Sequence, residues 1–299
     1  LQWSEWQVQG TRPVSSRSGR GALCGATVLD SVDGVILSLC ECTGSEAYEM
    51  DLASDTWTEV RGMDRDRVPS NLVYDPIGDR AIGFGGREYG FMTILTRTVA
   101  YDLSPSRTGW SALPPTPFQL LDQAVAVDPD QGRAYVFGGQ GQTGAVVDQL
   151  WRLDLGSADQ PGAWSLVEAV GPSARMGASL THIGDHRLIL FGGYAEGVYS
   201  DEVWLLDTAG VDGPAWARLV AGGPGPPARA VHAAAWDSAA ERLIVIGGTS
   251  GGELSTFVLD DAWLLDWSPE PTPTPDPAAS ATPAETPEAT VFLPISHRR

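Results

Sequence analysis

Four arginines recur at nearly the same place along this chain. Arg20, Arg67, Arg175 and Arg229 each lie 12–15 residues before the last residue of a tight turn. A guanidinium presents its N–H donors in a planar fork, so a ring of them would hold carboxylate or sulfate groups bidentately. The other use of a residue locked to a repeat is structural, each arginine bonding carbonyls of the adjoining unit. Further residues with recognition chemistry fall where no repeat requires them: Arg87, Glu88, Tyr89, Phe91, Tyr194, Glu196, Tyr199, Glu253 and Phe257. Variable loops on a rigid scaffold are where binding usually resides.

Nucleophilic catalysis needs a nucleophile, a base and an orienting group that converge. The chain has four histidines, at 182, 186, 232 and 297. His182 and His186 fall on a turn expected to face solvent, His232 on a strand, and His297 near the C-terminus. No partner set is visible beside any of them, so no catalytic residue is assigned. Cys40-x-Cys42 has no further His or Cys at zinc-ligand spacing, so no metal site and no cofactor are expected. Cys24 faces Cys40 across the first hairpin, which permits a disulfide to Cys40 or to Cys42; simple burial of Cys24 is the alternative. Gly139-x-Gly141-x-x-Gly144 matches a dinucleotide fingerprint by letter, but it lies between two strands with no helix after it and reads as a loop.

Charge narrows the partners. The 299 residues carry a net charge of −19, and all 19 basic residues are arginine. A phosphate-binding surface needs a basic face, so nucleic acid is not an expected partner. Anionic membrane surfaces are disfavoured for the same reason. No apolar run reaches the ~18–20 residues that a spanning helix needs. The chain opens on Leu1, which suggests a processed or trimmed product, a missing signal peptide being one form of it.

The elements that must position these residues come from a repeat. Apolar runs ending in Gly-Gly appear at 81–86, 134–139, 188–193 and 243–248, with the first glycine at 85, 138, 192 and 247. A degenerate copy lies at 35–41, where Cys40 and Glu41 replace the glycines. Each run follows a turn such as DPIGDR or DPDQGR and a short β-branched stretch, which together read as a hairpin of strands a and b. Strand c follows, written Asp-x-x-Trp-x-Leu-Asp at 148–154, 201–207 and 260–266. A fourth strand, d, carries Trp57, Trp110, Trp164 and Trp216. SEWQVQ, with Trp6, has the form of a d strand without a, b or c before it, whereas the last unit has a, b and c but no d. The expected architecture is therefore all-β: a propeller of five four-stranded blades, the last closed by the N-terminal strand. Antiparallel strands place the b–c and d–a loops at one end.

The Gly-Gly pairs, the c-strand aromatic with its Asp, the later Trp and the Pro-x-Ala-Arg at 172–175 and 226–229 together resemble kelch repeats. The resemblance covers residues 1–267 and implies a kelch-type β-propeller domain; the Pro/Thr-rich stalk and short apolar-basic end after it resemble those of some exported bacterial proteins. The first copy lacks Gly-Gly and the third lacks the Arg. Galactose oxidase and nitrile-specifier proteins share this architecture, but their copper and iron ligand sets do not map onto this chain. Other kelch-like propellers isomerise sialic acid with charged groups in a central pocket.

Residues 268–290 are Pro, Thr, Ala and Glu without a large apolar group, the composition of an extended stalk. Residues 291–299, VFLPISHRR, form a short apolar-basic end suited to an address signal or a frayed terminus. The expected function is a monomeric, extracellular or surface-displayed module that binds protein or glycan through its b–c and d–a face. The alternatives are an enzyme on acidic sugars, sialic-acid mutarotase-like, and a structural envelope protein.

Overall fold

The computed structural model describes residues 9–10, 24–40, 46–60, 67–69, 71–88, 93–156, 162–211, 213–222, 225–252, 255–267, 289–290 and 295–298. Within them lie five sheets, each built on four antiparallel strands in the order a, b, c, d. The first holds β1 (Cys24–Asp30), β2 (Val35–Cys40), β3 (Glu46–Asp51) and β4 (Thr56–Val60). The second holds β5 (Asn71–Asp75), β6 (Arg80–Phe84), β7 (Thr98–Asp102) and β8 (Trp110–Leu113). The third holds β9 (Ala124–Asp128), β10 (Arg133–Phe137), β11 (Leu150–Asp154) and β12 (Ala163–Val167). The fourth holds β13 (Ser179–His182), β14 (Arg187–Phe191), β15 (Val203–Asp207) and β16 (Ala215–Val220). The fifth holds β17 (Ala233–Asp237), β18 (Arg242–Ile246), β19 (Ala262–Asp266) and β20 (Ile295–Arg298). The fold is the five-bladed, all-β propeller that the repeat predicts.

Strand b reads as an unbroken apolar run because blades cover both of its faces. In β10 and β14 every residue after the leading Arg is buried. The innermost a strands pack in chain order, β1 on β5, β5 on β9, β9 on β13 and β13 on β17. Among the described residues one buried cluster fills each of these four junctions. The d-strand tryptophans reach back to the preceding blade. Trp216 meets Phe137 edge-on at 5.3 Å, and Trp164 meets Phe84 at 5.8 Å. The faces of the first and fifth blades turned away from these junctions carry Leu29 at 49 % exposure and Ile246 at 53 %.

The Gly-Gly pair is a joint between blades. Gly138 and Gly139 take φ of 68° and 101°, values that L side chains rarely adopt. A Cβ on Gly139 would lie 2.7 Å from the carbonyl oxygen of Leu121. The close approach serves a bond to the next blade: Gly139 N donates to Arg175 O at 2.9 Å, and Gly193 N repeats this with Arg229 O at 2.8 Å.

The closing strand differs from the sequence expectation. β20 pairs antiparallel with β19, setting His297 opposite Trp263 and Ser296 opposite Leu264. The fourth strand of the fifth blade is thus C-terminal, not N-terminal. Gln9–Gly10 instead runs parallel to Thr56–Trp57 on the edge of the first blade, and Ala289–Thr290 runs parallel to Leu219–Val220 on the fourth. Trp6 lies outside the described residues, as does the stalk up to residue 288. A d-type tryptophan pattern identifies a strand but not its edge, because ladder hydrogen bonds are made by backbone that every residue carries.

Candidate functional site

The b–c and d–a loops meet at one end of the propeller. Arg67–Val68 pairs with Arg87–Glu88, Leu120–Leu121 with Gln140–Gly141, Met176 bridges to Tyr194, and Ala230 to Thr249. These pairings put Arg67, Leu120, Arg175 and Arg229 at one repeat position. A chain of backbone bonds runs along the inner loops: Gly177 N donates to Asp122 O at 2.7 Å, and Val231 N to Gly177 O at 2.7 Å.

The two arginines with described side chains face inward. Arg175 Nε donates to Ser173 O, one terminal nitrogen to Gly192 O and Ser200 Oγ, and the other to Ser173 Oγ and Glu202 Oε2 at 2.6 Å. Every N–H of the fork is engaged. Arg229 donates to Pro227 O and Gly247 O and bidentately to Asp261 at 2.7 and 2.8 Å. Both are buried, so each clamps its own b–c loop and neither is open to a ligand carboxylate.

Sequence reasoning missed the acids that hold these clamps. Glu202 and Asp261 stand two residues before the c-strand Trp and accept from its indole: Trp204 Nε1 to Glu202 at 3.1 Å and Trp263 Nε1 to Asp261 at 2.7 Å. Gln149 does the same for Trp151 at 3.3 Å. The signal was present as i, i+2 spacing, since such residues share one face of a strand. Hydrogen bonding from Arg229 holds Asp261 down to about 2 against its burial. Burial would raise Glu202, but hydrogen bonds from Arg175 and Trp204 and the nearby charges of Arg175 and Arg218 lower it overall.

Beside the Arg175–Glu202 clamp a cleft of about 340 Å³ opens on the loop face of the fourth blade. Tyr194 and Tyr199 line it, paired across a small hairpin with ring centroids 4.8 Å apart. Glu196 forms the exposed tip of that hairpin at φ 49°. Exposed Asp201 and the half-exposed Arg218, which bonds Glu202 at 3.3 Å, complete the wall. A second, small apolar cavity of about 60 Å³ sits between the fourth and fifth blades and shares Asp201 with the cleft; Phe191, Val203 and Trp263 line it. The cleft thus gathers Arg175, Tyr194 and Tyr199 from the residues singled out by sequence. Arg229 lies one blade on, and Arg67 and Arg87 lie on the loop segments of the second blade. Arg20, Tyr89, Phe91 and Glu253 are outside the described residues. Cys24 stands opposite Cys40 in the β1–β2 register, and Cys42 lies outside the described residues.

Two histidine environments differ from expectation. His186 is not simply solvent-facing: its Nδ1 lies 3.2 Å from a carboxylate oxygen of the buried Asp128. His182 is half-buried beside the same Asp128, and burial lowers its basicity. His232 has a partner the sequence did not reveal, Ser179 Oγ at 2.8 Å from Nε2. This pair has the outline of a nucleophile and base. Yet His232 Nδ1 is buried without a hydrogen-bond partner, so no third group completes a triad, and the ring is held by packing on the edge of Phe191 at 5.1 Å. Burial and the Arg229 charge pull the imidazole down to about 4, which leaves it a weak base at neutral pH.

Among the described residues no helix is long and apolar enough to cross a membrane. Comparison with known proteins gives a consistent family. The KLHDC2/KLHL20/DRC7 kelch-repeats domain matches residues 71–272, more than half of the chain. Adagio-like protein 3 of Oryza sativa subsp. japonica is 28 % identical over 199 residues, covering 62 % of this chain and 30 % of its own length. An F-box/kelch-repeat protein of Arabidopsis thaliana is 32 % identical over 138 residues, 44 % of this chain and 28 % of the relative. Putative adagio-like protein 2 of rice is 26 % identical over 241 residues, 79 % of this chain and 34 % of the relative. The chain therefore spans about a third of the length of these plant relatives. Gly-Gly joints, clamped loops and the domain match agree: this chain belongs to the kelch-repeat family of β-propellers.

Proposed function

We propose that the chain is a protein-binding module whose contact site is the loop-face cleft of the fourth blade. Kelch propellers generally mediate protein interactions. The observation that carries the reading is the cleft itself: a tyrosine pair, an exposed cation and an exposed anion held on loops that the Arg175 and Arg229 clamps make rigid. Tyrosine and arginine dominate binding energy at protein interfaces, and rigid loops limit the entropy lost on association. The apolar cavity next to Asp201 offers a place for one apolar side chain of the partner. The mutarotase reading needs Arg175 and Arg229 to grip a sugar carboxylate, and their engaged N–H groups count against it. We further infer an extracellular monomer, on the composition of residues 268–290 and the charge of −19.

Cross-linking pull-down with the 299-residue chain, quantified against Tyr199→Ala and Arg218→Glu, tests the site. Either change should weaken partner capture by roughly tenfold or more, the effect of losing a hot-spot residue. Capture unchanged in both variants would place the interface elsewhere. Binding to acidic glycans on an array, without any captured protein, would favour the glycan reading.

A further inference from the structure

At the end of the propeller opposite the loop face, four of the five a strands finish in an aspartate: Asp30, Asp75, Asp128 and Asp237. In each case Oδ1 accepts from the following turn. The donors are Val32 and Asp33 N at 2.8 and 3.1 Å, Ile77 and Gly78 N at 3.1 and 3.2 Å, Gln131 N at 3.4 Å, and Ala240 N at 3.1 Å. The second oxygen then needs a partner of its own, because a buried carboxylate oxygen left bare is costly. Asp75 receives Arg80 Nε at 2.8 Å, and Asp237 receives Arg242 Nε at 3.1 Å. Asp128 receives the Thr208 hydroxyl at 2.7 Å and His186 Nδ1 at 3.2 Å.

Asp30 breaks the pattern. The first residue of β2 is Val35, where the second blade has Arg80. Asp30 is 0 % exposed, and its Oδ2 has no hydrogen-bond partner. Beside it stand the Tyr74 hydroxyl, which acts on both Asp30 and Asp79, and further negative charge: one oxygen each from Asp30, Asp33 and Asp79 lie within 4.8 Å of one another. The Tyr74 hydroxyl donates to Asp79 at 3.1 Å. The nearby Arg107 pairs through Nε with Glu49 at 3.6 Å.

We propose that Asp30, Asp33 and Asp79 hold a calcium ion at the junction of the first and second blades. The unpartnered oxygen of Asp30 is its anchoring ligand. An all-oxygen, carboxylate set selects a hard cation. Calcium takes oxygens at about 2.3–2.6 Å, so two ligands on one ion can stand up to about 5 Å apart, which accommodates the spread here. Magnesium, at about 2.0–2.1 Å, would require a tighter set. The third and fourth blades show how the same junction works without an ion. His186 precedes Arg187 of β14 just as Asp79 precedes Arg80 of β6, and its imidazole bonds the buried aspartate. A ring N–H does there what the cation does at the first junction.

That equivalence supplies the test. The chelator-treated 299-residue chain is titrated with CaCl₂ by calorimetry, and its thermal unfolding is followed in CaCl₂, in MgCl₂ and in NaCl of matched ionic strength. One equivalent of calcium should bind, and millimolar CaCl₂ should raise Tm by about 2–4 °C beyond the NaCl control. Asp33 is exposed, so Asp33→Asn keeps the fold and should weaken binding about tenfold or more. Asp79→His should abolish the calcium-dependent rise while leaving the calcium-free chain at least as stable as wild type. No calcium-specific rise in the wild type, or the same rise in both variants, would overturn the proposal and leave only diffuse attraction to an acidic surface.

Discussion

His232 shows what a single buried ring does to the molecule. Burial and the neighbouring Arg229 charge lower its pKa from the ordinary 6.5 to about 4, so folding favours the neutral form. Between those values the unfolded chain binds the proton and the folded chain does not, and stability therefore rises with pH across that window. Acidifying from about pH 6.5 to about pH 4 should cost roughly 2–3 kcal/mol from this residue alone. Urea unfolding measured at several pH values should show that slope, and His232→Gln, which keeps a hydrogen-bonding group near Ser179 without titrating, should flatten it. The residue was visible in the sequence as one of four histidines, but its partner was not. Ser179 lies 53 residues away, close to one repeat period, and only the packing of β13 against the start of β17 brings the two together. Glu202 escaped notice for a different reason. The sequence pattern marked the Asp at its first position, whereas the bonded acid is the residue after it, on the same strand face as Trp204.

Joints between elements were legible where glycine announced them and hidden where it did not. Gly139 could be read as a point of close approach, and its φ of 101° confirms the need for glycine. Val231 could not. It has a φ of 56°, a left-handed conformation that a β-branched residue resists, and the inner-loop bond from its N–H to Gly177 O holds it there. Its counterparts Asp122 and Gly177, at φ 53° and 65°, are residue types that accept this region. Val231 is 72 % exposed, so replacing it removes little packing. Val231→Asn should therefore stabilise the chain by about 0.5–1 kcal/mol, because asparagine relieves the strain without glycine's entropy cost. Gly139→Ala should destabilise it by about 2 kcal/mol or more, since it meets both the forbidden φ and the Leu121 carbonyl at 2.7 Å. Chemical denaturation of the two variants side by side reads both signs.

At the scale of the whole molecule, the number of blades was in the repeat and the way the last one is completed was not. Four Gly-Gly runs and a degenerate fifth are enough to count units, because each unit can bury its faces only against a neighbour. Two segments could supply the missing outer strand at one backbone edge, SEWQVQ with a d-type Trp and ISHR without one. Backbone edges carry little sequence information, so Trp6 drew the assignment to the N-terminus, while the structure lays Ile295–Arg298 along Ala262–Asp266. The two arrangements separate cleanly in hydrogen exchange. Deleting residues 291–299 should strip protection from amides of β19 and leave β4 as it was. Deleting residues 1–10 should do the reverse, loosening the Thr56–Trp57 edge that Gln9–Gly10 covers and sparing β19. If the N-terminal deletion instead opened β19, the fifth blade would be closed from the other end of the chain. Trp263 is a second reporter, because its indole is buried at this blade's junction with the fourth. Its fluorescence should shift with whichever deletion frees the edge.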